Sequence, residues 1–119
     1  MIKHKLPAGR YFIGDVCFAL SPDIINEWGK QHSCKNGIFW ENDGFFIAYS
    51  TSFERGTYTG SDNANYMIDS GNIGVVSDSL IYGSRNNLML LGTVKTFLTD
   101  VSFQYVNCTI KVGNTLIST

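Results

Sequence analysis

Apolar residues along this chain come in short runs rich in Ile, Val, Phe and Tyr, each closed off by Gly, Asn, Asp or Ser. That pattern belongs to strands and tight turns. It predicts strands at Ile2–Leu6, Arg10–Ile13, Val16–Ala19, Gly37–Trp40, Phe45–Ser50, Tyr66–Asp69 and Ile73–Val76. A second group follows at Leu80–Tyr82, Leu88–Leu91, Thr93–Leu98, Val101–Val106, Thr109–Val112 and Thr115–Ser118. Two connections carry hairpin chemistry. In Glu41-Asn42-Asp43-Gly44, the glycine is expected to supply the positive φ that closes a short loop with a bulge. Gly113-Asn114 suits a two-residue primed turn.

One segment has helical periodicity. In Ser21-Pro22-Asp23-Ile24-Ile25-Asn26-Glu27-Trp28-Gly29-Lys30 the serine can cap free amides, proline suits the first helical position, and Asp23 lies at the positive end of the dipole. Ile24, Ile25 and Trp28 share a face, so the helix should cover one side of a sheet or plug one end of a barrel. The expected fold is mainly β (α+β): one domain over residues 1–119, with an antiparallel sheet forming a small barrel or sandwich and one short helix near residues 22–31.

The run Thr51–Ala64, TSFERGTYTGSDNA, breaks the pattern. It is rich in glycine and hydroxyls and has few groups to pack, so it is expected to be an exposed loop and the first place to look for function. Ser84-Arg85-Asn86-Asn87 is a shorter turn of the same kind.

Composition narrows the function classes. The chain is 44% hydrophobic and 16% charged, enough apolar surface for a folded core in 119 residues. A net charge of -1 lacks the basic footprint of nucleic-acid binding, so no nucleic-acid partner is expected. Lys3, His4, Lys5 and Arg10 are too few for a polybasic tail and read as a solvated strand edge. Cys17, Cys34 and Cys108 contain no CxxC pair, and the residues after Met1 are too polar for a signal peptide, so a reducing cytoplasm is the expected compartment. The longest apolar run, Leu88–Leu91, is far too short to span a bilayer, so no membrane partner is expected. The sequon Asn107-Cys108-Thr109 is read as accidental for the same lack of an export signal.

Three constellations could carry chemistry. Cys17 would need a neighbouring imidazole or helix N-terminus to become a nucleophile, while its place between Val16 and Phe18 equally suits a buried thiol. Asp15 and Asp69 stand beside glycine or serine at strand ends, where they could form an acid/base pair or bond backbone amides in turns. His32-Ser33-Cys34 is one loose His-x-Cys, short of the paired spacing of structural zinc, so no metal is assigned. Gly71 and Gly74 in DSGNIGVV match no phosphate or dinucleotide fingerprint, so no cofactor is assigned, and a bulge or tight corner explains them. In the central loop, Phe53 and Tyr58 could anchor the loop to the body. Alternatively, Tyr58 between Thr57 and Thr59, with Arg55 nearby, could stack on a planar ligand and bond its phosphate. The adjacent aromatics of GIFW and FFIAY require some to point outward, to solvent, partner or ligand.

The stretches PAGRYFIGDVCFAL, YSTSFERGTYTG and MIDSGNIGVV together resemble a set of small uncharacterised bacterial and phage proteins. Their shared pattern is a GxYxIGDxCY-like opening, a loop containing Gly-Thr-Tyr, and an Asp-Ser-Gly-x-Ile-Gly strand. Phe18 stands where that pattern has tyrosine, and nothing after Asp78 matches it. The resemblance implies no established activity. It implies that Asp15, Cys17, Tyr58, Asp69 and Gly71 converge around one pocket.

The leading functional expectation is a non-enzymatic binding protein, such as a phage accessory or anti-defence protein in the host cytoplasm. It would sequester a nucleotide-like ligand through Arg55, Thr57, Tyr58, Thr59, Asp69, Ser70 and Gly71, or block a host protein. A small hydrolase or transferase using Cys17, or Asp15 with Asp69, is the alternative. A third is a homo-oligomeric subunit paired through edge strands such as Ile2–Leu6 or Leu88–Leu91.

Overall fold

Strict alternation along the central strands decides the architecture. In a computed structural model describing residues 1–119, the chain forms eleven strands in three antiparallel sheets, two short α-helical segments and two 3-10 turns. The strands are β1 (Ile2–Leu6), β2 (Gly9–Gly14), β3 (Gly37–Glu41), β4 (Gly44–Ser50), β5 (Gly56–Thr59), β6 (Asn65–Ile68), β7 (Asn72–Ser77), β8 (Thr93–Phe97), β9 (Val101–Val106), β10 (Thr109–Val112) and β11 (Thr115–Ser118). The helical segments are α1 (Pro22–His32) and α2 (Arg85–Leu88). One sheet runs β1-β9-β10-β11, another β3-β4-β7-β2-β8, and β5 pairs with β6 alone.

Two cores result. Tyr11 and Ile13 of β2, Phe45, Ile47 and Tyr49 of β4, and Ile73 and Val75 of β7 meet Leu6, Phe103, Ile110, Val112 and Ile117 of the four-stranded sheet. The alternate residues Phe12, Phe46, Ala48 and Val76 face the other way, against Trp28, Val16, Ala19, Leu20 and Leu88. The five-stranded sheet is therefore buried on both faces, between a second sheet and α1, and the body is sandwich-like. Free edges at β3 and β8 show that it is no closed barrel. The outward aromatics of FFIAY are covered by α1, and Trp40 alone of the FFIAY and GIFW aromatics is largely exposed, at 68%.

The helix begins as its sequence requires, with the Ser21 hydroxyl accepting the Ile24 N–H at 3.3 Å. Trp28 is buried under it, with Ile24 and Ile25 packed beside. No helix is long and apolar enough to cross a membrane.

Several expected elements differ. Val16–Ala19 is a 3-10 turn over Val16–Phe18, because the N–H groups a strand would offer a neighbour go to Asp15, Asn72 and local carbonyls. Leu80–Tyr82 overlaps a second 3-10 turn, Asp78–Leu80, whose following Tyr82 N–H donates to the Ala19 carbonyl. Leu88–Leu91 contains the end of α2, not an edge strand: Leu88 is buried while Met89 and Leu90 stay exposed. The central excursion is not one loop, because Gly56–Thr59 forms β5 and pairs with β6, Tyr58 opposite Tyr66. In the β3–β4 turn, Asn42 holds the positive φ (48°) and Gly44 does not. A side chain at Gly44 would meet Leu80 at 2.7 Å and Ser77 at 2.8 Å, so space is what requires the glycine. The Gly113-Asn114 hairpin forms as expected, with φ 59° at Gly113.

Candidate functional site

Asp15, Cys17, Asp69 and Ser70 meet at one buried group, while Tyr58 and Gly71 of the same motifs are engaged elsewhere. Asp15 directly follows β2 and has no exposed surface, and its carboxylate accepts four hydrogen bonds. Oδ1 takes the Cys17 N–H (3.0 Å) and the Ser70 hydroxyl (2.6 Å), and Oδ2 takes the N–H groups of Asp69 (2.9 Å) and Ser70 (2.8 Å). Asn72, the first residue of β7, completes the cluster: its Oδ1 accepts the Val16 N–H at 3.1 Å, and its amide donates to Ser70 Oγ and to Cys17 Sγ at 3.5 Å. Asn72 was not a candidate from sequence, since an asparagine beside a turn glycine suggests only the turn.

This arrangement is closed. The Asp15 lone pairs are spent on the backbone that links β6 to β7, as an aspartate in a turn role would spend them. Burial pushes the Cys17 thiol up; hydrogen bonds with Ser70 and Asn72 oppose that, and the charge of Asp15 adds to it. The thiol is held away from its nucleophilic form. Asp69 enters the cluster only through its N–H, and its own carboxylate lies 3.0 Å from Arg55 Nε in an exposed ion pair. Gly71 turns the chain at φ 70° and donates its N–H to the Glu54 carbonyl. Gly74 lies directly beneath the backbone of Ile47, where a side chain would overlap the carbonyl oxygen.

The remaining candidates disperse. Tyr58 packs half-buried on the inter-sheet core, so it anchors β5. Thr57 and Thr59 are exposed, as is Phe53 at 68%. None of Arg55, Thr57, Tyr58, Thr59, Asp69, Ser70 or Gly71 lines a concavity of the surface. His32 ends α1 and lies tilted against Phe39 at 5.0 Å, and no three His, Cys, Asp or Glu side chains are grouped to hold a metal ion.

The open chemistry lies elsewhere, in a groove of about 170 Å³ between α1 and β3. Phe39 forms its aromatic wall, stacked on Phe46 at 5.2 Å and tilted against Trp28 at 5.8 Å. Glu27 comes from α1 and Glu41 from the end of β3. Burial, the facing charge of Glu27 and a hydrogen bond with it push the Glu41 carboxyl up, with His32 opposing. Neither glutamate enters an ion pair. Sequence reasoning missed this pair, since Glu27 reads as a solvated helix position and Glu41 as part of a turn.

Compared with known protein families, curated proteins and solved structures, the chain matches none.

Proposed function

We propose that this protein is a binding protein that receives an extended segment of a protein partner along the free edge of β3. The observation that carries this reading is the contrast between β3 and the other sheet edges. Edge strands are normally guarded by lysines or covered by other segments. β1 carries Lys3 and Lys5, β8 carries Lys95, and β11 is covered by Ser61, which exchanges hydrogen bonds with Leu116. β3 reads Gly37-Ile38-Phe39-Trp40-Glu41, with no lysine or proline and with Trp40 exposed. Beyond its pairing with β4, no backbone hydrogen bond reaches it. An extended peptide added here gains main-chain hydrogen bonds for affinity and flanking side-chain pockets for selectivity.

The catalytic alternative has less to support it, because Asp15, Cys17 and Asp69 are each committed to other groups. A nucleotide-like ligand at Arg55 and Tyr58 has no concavity to enclose it. The setting we assign, a phage-encoded accessory protein acting on a host protein in the cytoplasm, rests on the motif resemblance.

Selection of a random displayed-peptide library against the folded chain tests the reading. Enriched peptides should bind at least tenfold more weakly to Trp40→Lys, which guards the edge, and equally well to Arg55→Ala/Tyr58→Ala. Peptides that ignore Trp40→Lys, or that fail on the Arg55/Tyr58 variant, overturn it. So does sedimentation as a dimer that Trp40→Lys dissociates, which would assign the edge to a second copy.

A further inference from the structure

We propose that the groove between α1 and β3 is a pocket for an organic cation, the ammonium or guanidinium end of a basic side chain on the strand that docks against β3. The proposal rests on the partner reading above and adds the chemistry of its specificity.

Two carboxylates facing one another without a cation are mutually unfavourable, and an entering positive charge relieves them. Glu27 and Glu41 are in that position. Apart from one another, Glu27 has the Gln31 amide at 3.1 Å and Glu41 has only the charge of His32 in the same groove, and neither glutamate is in an ion pair. By contrast, Asp62, Asp69, Asp78 and Asp100 all pair with lysine or arginine. Asp23, Asp43 and Glu54 are also unpaired, and what sets Glu27 and Glu41 apart is that the two line one groove.

The wall between the two glutamates is aromatic. Phe39, half-buried, is backed by Phe46 and Trp28 and has His32 tilted against it at 5.0 Å, and the faces of such rings attract cations. The volume of about 170 Å³ suits the end of one side chain and falls well short of the ~300 Å³ at which small-molecule pockets begin. Strand geometry delivers that side chain. Phe39 and Glu41 point to the α1 side of β3, and an added strand places its residues opposite them on the same side. Trp40 points to the other side, against Phe45 at 4.9 Å.

The chain has two tryptophans, so Trp40→Phe leaves Trp28 as a single reporter in the floor of the groove. In that background, n-butylammonium and n-butylguanidinium should change Trp28 emission saturably, and n-butanol should not. Glu27→Gln/Glu41→Gln should weaken the cations at least tenfold while leaving thermal unfolding unchanged or raised. Equal titration by butanol, undiminished binding by the double glutamine variant, or no saturable response to either cation overturns the proposal. The two ideas fail separately. Peptides that need the β3 edge but a groove blind to both cations would remove the cation pocket alone, and cation binding without edge-dependent peptides would remove the strand partner.

Discussion

Ser70 gives both its backbone N–H and its hydroxyl to the buried carboxylate of Asp15, at 2.8 and 2.6 Å, across a separation of 55 residues. The pair ties the end of β2 to the entry of β7, two strands that are neighbours in the central sheet. Hydrogen bonds to a charged group are worth roughly twice neutral ones, and donors left facing nothing in a buried site add a desolvation cost.

Asp15→Asn keeps the size but turns one acceptor into a donor aimed at other donors. We expect a loss of about 3 kcal/mol in urea unfolding, from the charged hydrogen bonds forfeited. Ser70→Ala should cost less, since the Ser70 N–H still reaches Oδ2. An Asp15→Asn protein as stable as the parent would refute the structural role and reopen the catalytic one.

The thiols should react in order of exposure. Cys34 is exposed and Cys17 is partly buried with its ionisation disfavoured, so iodoacetamide at neutral pH should label Cys34 first. Peptide mass mapping over time would show it. Labelling of Cys17 faster than in the urea-unfolded chain would mean an activated thiol.

Acid should act in part through Asp62. Burial alone would raise its pKa, but hydrogen bonds from Lys95 (2.7 Å), Tyr66 (2.7 Å) and the Ala64 N–H outweigh it and hold the carboxyl below its ordinary value of 3.8. A group with a lowered folded pKa contributes stability that is whole above 3.8 and disappears as pH falls through the folded value. Asp78 beside Arg10 adds the same sign. Melting temperature should therefore fall below about pH 4, and Lys95→Met should flatten that slope without abolishing it. An unchanged slope in Lys95→Met would show that the Asp62 contact is not what acid breaks.

Two glycines of one motif should differ sharply. Gly71→Ala places a side chain at φ 70°, a cost of about 1 kcal/mol. Gly74→Ala drives a methyl into the Ile47 carbonyl in the middle of the sheet, for about 3 kcal/mol or more and poor recovery of folded protein. Equal unfolding midpoints for the two variants would contradict the close approach of β4 and β7.

Local patterns carried a large part of this architecture. The capped helix at Ser21, the Gly113 hairpin and ten of the strand positions follow from neighbours within a few residues, and backbone sterics and capping bonds act over that range. The strand expected at Val16–Ala19 failed where side chains, one of them distant, took the backbone's hydrogen bonds. Asn72 accepts from Val16 and Asp15 from Cys17, turning an apparent strand into a 3-10 turn. The loop assigned to residues 51–64 hid β5 because its partner β6 lies beyond a five-residue turn, and Gly, Thr and Tyr alone do not announce a strand.

By itself, then, the sequence determined the antiparallel strands and the one capped helix, since each depends on side-chain alternation or bonding close by in the chain, whereas the role of Asp15 was settled by donors 54 and 55 residues away. Only the tertiary structure decided that the central sheet is covered on both faces, because alternation specifies two faces without saying what lies over each. It also decided that Glu27 and Glu41 share one groove, since their meeting depends on how α1 settles over Phe39 and Phe46, a packing outcome written in no local pattern.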